Sequence, residues 1–238
     1  MSAGLSVSCV IPAYNEAPRI RNVLEAVLCH PAVEEVIVVD DGSTDGTPEI
    51  VGALPSVQLV RQTQNGGKTA AVARGIREAR GSHVMLLDSD LLGLTGLHVS
   101  QLLDPVRSGA ADVAISLRRN APALWHMIGL DYISGERVLP RAWLLDGLEA
   151  LPHFGLEVHM NRLLIRKGAR LAVVEWPDVD SPYKHAKLGS WAAGLRADAA
   201  MLADMFRVVS PLEAGGQIWS MRKMRVAPRQ LAGHPPQP

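Results

Sequence analysis

The sequence predicts an α/β fold in which a mainly parallel, Rossmann-like central sheet is flanked by helices. Three features predict it. Short apolar runs ("VSCVI", "EVIVV", "VQLV", "HVMLL") alternate with helical patterns through the first part of the chain. The runs are continuously apolar, as strands covered on both faces are. Each run also ends in a polar cluster, which is where open parallel sheets bind ligands.

The first strand covers residues 7–11 and is ended by Pro12, after which Asn15 caps a helix carrying Ile20, Val23, Leu24, Val27 and Leu28 on one face. A second strand at 35–39 precedes the short helix "TPEIVGAL", with Thr47 as cap and Pro48 at its first position. The third strand, 57–60, leads through a glycine turn into "NGGKTAAVARGIREARG", an alanine-rich helix stopping at Gly81. The fourth strand is 83–87, and later strands fall at 112–117 and 171–176. Between those two lie a loop around "RNAPALWHMIGLDYISGERV" and a helix from about Leu156 to Arg166. A stripe of Leu188, Trp191, Leu195, Leu202, Phe206 and Val209 recurs at helical spacing. Residues 226–238 have the composition of a disordered tail, leaving 1–225 as one domain.

With 238 residues, 47% of them hydrophobic, the chain can bury one sizeable core. Basic and acidic side chains number 24 each, so the basic excess of a nucleic-acid binder is missing. Cys9 and Cys29 fall in apolar patterns and read as reduced core thiols. The start "MSAGLSVSCVIPAY" lacks the features of a secretion signal and no run of 18 apolar residues occurs, which predicts a cytoplasmic protein without a membrane span. The stripe over 188–209 fits a membrane surface, making the protein peripheral on the cytoplasmic face, or packing on its own domain or on the second subunit of a homodimer.

Four polar clusters, "PAYNE", "DDGSTDGT", "NGGK" and "DSD", each follow a strand. Any one alone is an ordinary turn, but four in succession converge on one site. "LLDSDL" is the sharpest: Asp88 and Asp90, two residues apart at a strand end, are hard oxygen ligands suited to Mg2+ or Mn2+ on a diphosphate. Such a cation neutralises charge as a diphosphate leaves. Dinucleotide and P-loop folds fit less well, since no G-x-G-x-x-G follows the first strand and "TQNGGKTA" lacks the first loop glycine.

In this order and spacing, "IPAYNE", "VVDDGSTDGT", "NGGKTAAVARGIREARG" and "LLDSDL" resemble the nucleotide-sugar half of glycosyltransferase family 2, which has the GT-A fold. The resemblance covers about 5–118, with 119–210 as the acceptor half. It implies that Pro12, Ala13, Tyr14 and Glu16 line a nucleotide pocket, that Asp40 and Asp41 include a base-reading carboxylate, and that Lys68 and Ser89 join the nucleotide-sugar contacts. It makes Asp88 and Asp90 the metal-holding DxD motif, with Asp90 catalytic. "SGERVLPRAW" resembles the SGxRxxxR segment of members that glycosylate polyprenyl phosphates, which implies acceptor-phosphate binding by Arg137 and Arg141 and by Arg118 of "ISLRRN". These arginines could equally cover a surface helix or loop.

Glu157 and Asn161 share a helix face at i and i+4, and Glu157 either deprotonates an acceptor hydroxyl or anchors an arginine. His185 is a candidate further metal ligand, and Lys184 and Lys187 are candidates for phosphate or lipid headgroups. The expected function is metal-dependent, inverting transfer of a sugar from a UDP- or GDP-sugar to a lipid-phosphate or hydroxyl acceptor. The alternatives are a non-catalytic nucleotide-binding module of the same fold and a sugar-phosphate nucleotidyltransferase.

Overall fold

A computed structural model describes residues 5–145, 155–182, 203 and 205–227. Its strands are β1 (Val7–Ala13), β2 (Glu35–Asp40), β3 (Val57–Arg61), β4 (His83–Leu86), β5 (Val113–Arg118), β6 (Arg137–Pro140) and β7 (Leu171–Trp176). They make one sheet in the order β3-β2-β1-β4-β6-β5-β7. Only β6 runs against the others, antiparallel to both β4 and β5. The helices are α1 (Ile20–Leu28), α2 (Thr47–Gly52), α3 (Lys68–Glu78), α4 (Gly96–Arg107), α5 (Ala123–Ile128), α6 (Gly155–Lys167) and α7 (Pro211–Lys223).

Successive strand residues face opposite sides, so the continuous apolar runs feed two cores. Val10, Ile37 and Val39 pack under α3, α6 and α7 with Ile76, Leu164 and Met221. Cys9, Ile11 and Val38 pack on the other face with Val23, Leu24, Val51, Leu102 and Leu103 of α1, α2 and α4. Helix α3 lies so close to the sheet that a Cβ at Gly75 would sit 2.4 Å from Val10 Cγ1. Val39 Cγ2 and Val10 Cβ would also lie within 3.1 and 3.5 Å, and a β-branched side chain has little χ1 freedom with which to give way. Gly75→Ala is therefore expected to destabilise the protein by about 1–3 kcal/mol, checked by urea unfolding.

Several elements depart from the sequence pattern. Pro12 does not end β1, which runs on to Ala13, because the last β1–β4 pair is Val10↔Leu86 and the missing N–H has no ladder bond to break. Asn15 is not a helix cap: at φ 55° it turns the chain, and its Oδ1 accepts from Thr44 N. Thr47 is the first residue of α2 rather than its cap, and Asp45 Oδ1 accepts from Thr47 N in the cap's place. Helix α3 ends at Glu78, short of Gly81. Helix α4 went unread in the sequence, although Thr95 caps it and Val99, Leu102, Leu103 and Val106 share its buried face. The segment read as loop holds α5 and β6. Cys29 is exposed just beyond α1, whereas Cys9 is buried and its thiol is pushed up by that burial.

Of the 188–209 stripe, only the end is described; there Met205 and Val209 enter the core and Phe206 is exposed. Leu188, Trp191, Leu195 and Leu202 lie outside the described residues, as do Lys184, His185, Lys187 and most of the segment read as a tail. Val226, the first residue of that segment, donates its N–H to Leu171 O. No described helix is long and apolar enough to cross a membrane.

The one reversed strand decides what the site contains. The carboxyl ends of β1, β2, β3, β4, β5 and β7 share an edge, and the amino end of β6, carrying Ser134, Gly135 and Glu136, joins them there.

Candidate active site

At that edge β2 delivers two buried aspartates with different duties. Asp41 belongs to the framework: its Oδ1 accepts from Gln62 Nε2 at 2.9 Å and Gly66 N at 2.8 Å, and its Oδ2 from Gly67 N at 2.8 Å. It thereby fixes the turn that starts α3. Gly42, at φ 77°, lets the two turns meet, since a Cβ there would lie 3.0 Å from Asn65 N. Asp40 is wholly buried, its Oδ1 accepts from Ser43 N, and its Oδ2 has no hydrogen-bond partner, with Arg61 Nε 3.8 Å away. Of the two, Asp40 has the acceptor to offer.

Near them Pro12 and Ala13 end β1, Tyr14 is 46% exposed, and Glu16 is paired with Arg19 at 2.6 Å. The loop is tied down by Asn15 N and Glu16 N, which donate to Ser43 Oγ and Thr47 Oγ1.

Lys68 is the first residue of α3, where a cation opposes the helix dipole. It is held there by carboxylates: Nζ lies 2.7 Å from Asp88 Oδ1 and 3.3 Å from Glu157 Oε1. Burial works against its charge, but Asp88 and Glu157 outweigh it and raise the ammonium's pKa. Burial likewise opposes the Asp88 charge, and Lys68 with Arg118 outweighs it, holding the carboxyl below its usual range. Gly135 closes over this pair, since a Cβ there would sit 2.8 Å from both Asp88 Oδ1 and Lys68 Nζ.

Asp90 is the reverse case. It is 9% exposed, Oδ2 accepts from Ser181 Oγ at 3.3 Å, and the buried Oδ1 has no partner. Burial, with Asp88 and Glu16 nearby, pushes its pKa up to about 6. Ser89 between the two aspartates is buried. Across the site Asp88, Asp90, Asp131, Glu136 and Glu157 outnumber Lys68, Arg118 and Arg137 by two charges, the excess a divalent cation would balance. Asp88 and Asp90 fit the expected Mg2+ or Mn2+ by donor type and by the unpartnered Oδ1. Among the described residues no group of three His, Cys, Asp or Glu side chains is arranged to hold a metal, so any further ligands would come from elsewhere.

The three arginines read as acceptor ligands part company. Arg118 is 15% exposed at the site, between Glu136 and Asp131. Arg137 is wholly buried beneath it, donating to Ser134 O, Tyr132 O and Asn161 Oδ1. That placement answers to framework rather than acceptor contact. Arg141 follows β6 at the opposite edge, where its N–H donates to Ser82 O and its Nε to Gly81 O, well away from Asp88. The reversal of β6 is the physical reason: residues four apart along a strand reach opposite edges of the sheet. Asn161, i+4 from Glu157, serves Arg137 and not the site surface.

Sequence reasoning missed Asp131, Ser116, Ser134, Glu136 and Ser181. Glu136 stands inside "SGER", where the arginine drew attention. Asp131 is 1% exposed, and burial, opposed by Arg118, pushes its pKa up to about 6. A carboxyl raised in the folded state binds its proton more tightly there, so its contribution to stability is full below about pH 4 and is lost as pH rises through about 6. Asp131→Asn removes that loss. Urea unfolding should show the variant gaining about 2–3 kcal/mol on the parent between pH 4 and 7.

Residues 8–163 match the family described as "Glycosyl transferase family 2". Glucosyl-3-phosphoglycerate synthase from Mycobacterium tuberculosis, in its crystal structure with Mn2+ and UDP-glucose, superposes with a TM-score of 0.64 at 26% identity, covering 87% of this chain and 81% of that one. Neighbouring structures share the GT-A fold. Among curated proteins, glycosyltransferase AglD of Haloferax volcanii is 37% identical over 49% of this chain and 20% of its own length. A dolichol-phosphate mannosyltransferase of Pyrococcus furiosus is 32% identical over 48% of this chain and 33% of its own. The chain therefore spans a third or less of the length of these curated relatives.

Proposed function

Because this chain belongs to glycosyl transferase family 2, we propose that it transfers a sugar from a nucleoside diphosphate sugar to a phosphate-bearing or hydroxyl acceptor, with inversion at the anomeric carbon. The observation that carries the reading is the pair of aspartates after β4, one held by Lys68 and the other left with a buried, unpartnered oxygen. The Mn2+ and UDP-glucose held by the mycobacterial structure support a UDP-sugar donor.

Asp40 offers Oδ2, which takes no hydrogen bond, to a base N–H or ribose hydroxyl, beside Pro12, Ala13, Tyr14 and Glu16. Asp88 and Asp90 would hold Mg2+ or Mn2+, which supplies charge neutralisation for the diphosphate. Lys68, released from Asp88, meets the phosphate oxygens, and Ser89 lies between the metal-holding acids. In the displacement the acceptor oxygen bonds to the anomeric carbon as the bond to the diphosphate breaks, and the electron pair leaves with the diphosphate. A hydroxyl acceptor gives its proton to Glu157, whereas an ionised phosphate needs no base. Glu157 is already engaged by Lys68 at 3.3 Å, which favours the phosphate-bearing acceptor, the one that needs no base.

Thermal melting with UDP and GDP, each with and without Mn2+, tests the reading. A ligand at a hundred times its dissociation constant adds about 2.7 kcal/mol. For a chain of this size that is a rise of roughly 5–10 °C. A metal-dependent rise with one nucleotide, followed by release of that diphosphate from its sugar conjugate, is the expected outcome. Pyrophosphate release from a nucleoside triphosphate would favour a nucleotidyltransferase instead, and nucleotide binding without sugar transfer a binding module.

A further inference from the structure

We propose that Glu136, assisted by Asp131, is a positioning residue that aims Arg118 at a substrate phosphate; the proposal rests on the reading of Arg118 as a phosphate ligand. Arg118 ends β5 beside the paired aspartates, and its charge is felt by both Asp88 and Asp90. Its Nε lies 3.2 Å from Glu136 Oε2 and its Nη2 3.9 Å from Asp131 Oδ2, ion pairs rather than aligned hydrogen bonds, since Nε has no hydrogen-bond partner. A guanidinium is planar, so with Nε and Nη2 the atoms nearest the acids, Nη1 is left on the far side.

The chemistry of the holder separates this arginine from a structural one. Arg137, nearby and wholly buried, is satisfied by two carbonyls and an amide oxygen, which costs no buried anion. Arg118 is given two buried carboxylates, Glu136 at 0% and Asp131 at 1% exposure. Glu136 is itself fixed, with Ser116 Oγ and Ser134 Oγ 2.8 and 3.0 Å from Oε2, while its Oε1 has no partner. Burying two acids for one arginine, with an oxygen left over, costs stability that a plain structural contact would not require. The two charges do draw one edge of the guanidinium to one side at the end of a strand, and a preoriented first contact is what phosphate recognition needs.

A double-mutant cycle tests it, with Glu136→Gln, Arg118→Ala and the pair together. Two titrations followed by calorimetry distinguish the source of the phosphate. UDP added to Mn2+-loaded protein probes the donor diphosphate, and phosphoglycerate added to protein loaded with Mn2+ and UDP probes an acceptor phosphate. Glu136→Gln is close to isosteric and should leave the melting temperature unchanged or higher. It should weaken one of the two affinities about 10-fold in the parent, and have no effect once Arg118 is Ala. Should Glu136→Gln unfold the protein, Asp131→Asn runs the same cycle. The proposal is overturned if both affinities stay within twofold, or if the loss persists in the Arg118→Ala background, which would make it structural. If Arg118→Ala alone changes neither affinity, the reading of Arg118 as a phosphate ligand has failed, and the positioning role falls with it.

Discussion

Asp90→Ala should lower metal-dependent turnover by about 10²–10³-fold while leaving the fold intact or more stable. The two halves of this expectation have one physical source. Asp90 is buried, its Oδ1 meets no donor, and Asp88 and Glu16 repel it, so the free protein carries this charge at a cost. Alanine relieves that cost, and melting should occur at the same temperature or higher. The loss in rate follows from removing one of the two ligands that would hold the cation; charge stabilisation worth several kcal/mol at a leaving diphosphate corresponds to a rate factor of this size. Steady-state kinetics across a Mn2+ titration, beside a thermal melt, provides the check. Turnover within threefold of the parent at saturating Mn2+ would remove Asp90 from the metal site. Lost activity with a lowered melting temperature would point to a structural role instead.

How far the sequence discloses this architecture depends on the kind of signal each element carries. Strands β1 to β4 and helices α1 and α3 were legible because the runs are continuously apolar and the helix stripes regular. The clusters after those strands were legible because a parallel sheet puts every carboxyl end on one edge. Strand β6 was not. Its four residues, Arg137–Pro140, hold a buried arginine and a proline, which in isolation read as a loop. Only pairing with β4 and β5 makes them a strand, and a reversed strand cannot be seen in local periodicity. The same blind spot misplaced Arg141 and hid Glu136, since both assignments turn on strand direction. Helix α7 was a different failure. Ser210 Oγ accepts from Glu213 N with Pro211 at the first position, a start signal written in the sequence, but Gly215, Gly216 and a weak apolar stripe masked the helix behind it. The division of labour between Asp40 and Asp41 was open in the sequence because adjacent carboxylates are alike until the turn at 62–67 closes on one of them.

Lys68→Met should move metal binding and donor binding in opposite directions, which separates the lysine's two attachments. In the free protein Nζ sits 2.7 Å from Asp88 Oδ1, occupying part of the negative field that would draw a cation. Methionine keeps the length and apolar stem of the side chain and removes the charge, so Mn2+ alone should bind about 10-fold more tightly, close to 1.4 kcal/mol. The size is modest because the Lys68 side chain is 40% exposed and solvent screens part of the attraction. With the donor present the balance reverses. A diphosphate brings its own negative charge, and the lysine, 40% exposed, can follow it; without that ammonium, kcat/KM for the nucleotide sugar should fall by about 10²–10³-fold, the loss seen when one preorganised donor to a developing oxyanion is removed. Electron paramagnetic resonance of Mn2+ with and without UDP reads the first effect and initial rates the second. Weaker Mn2+ binding in both conditions would mean that Lys68 shapes the site without competing for it. Unchanged rates would mean that the ammonium stays on Asp88 and Glu157 throughout the reaction. The glycine at 135 bears on the same point: its missing Cβ leaves space against both Nζ and Asp88, and a side chain there would press on the very pair that has to separate when the donor enters.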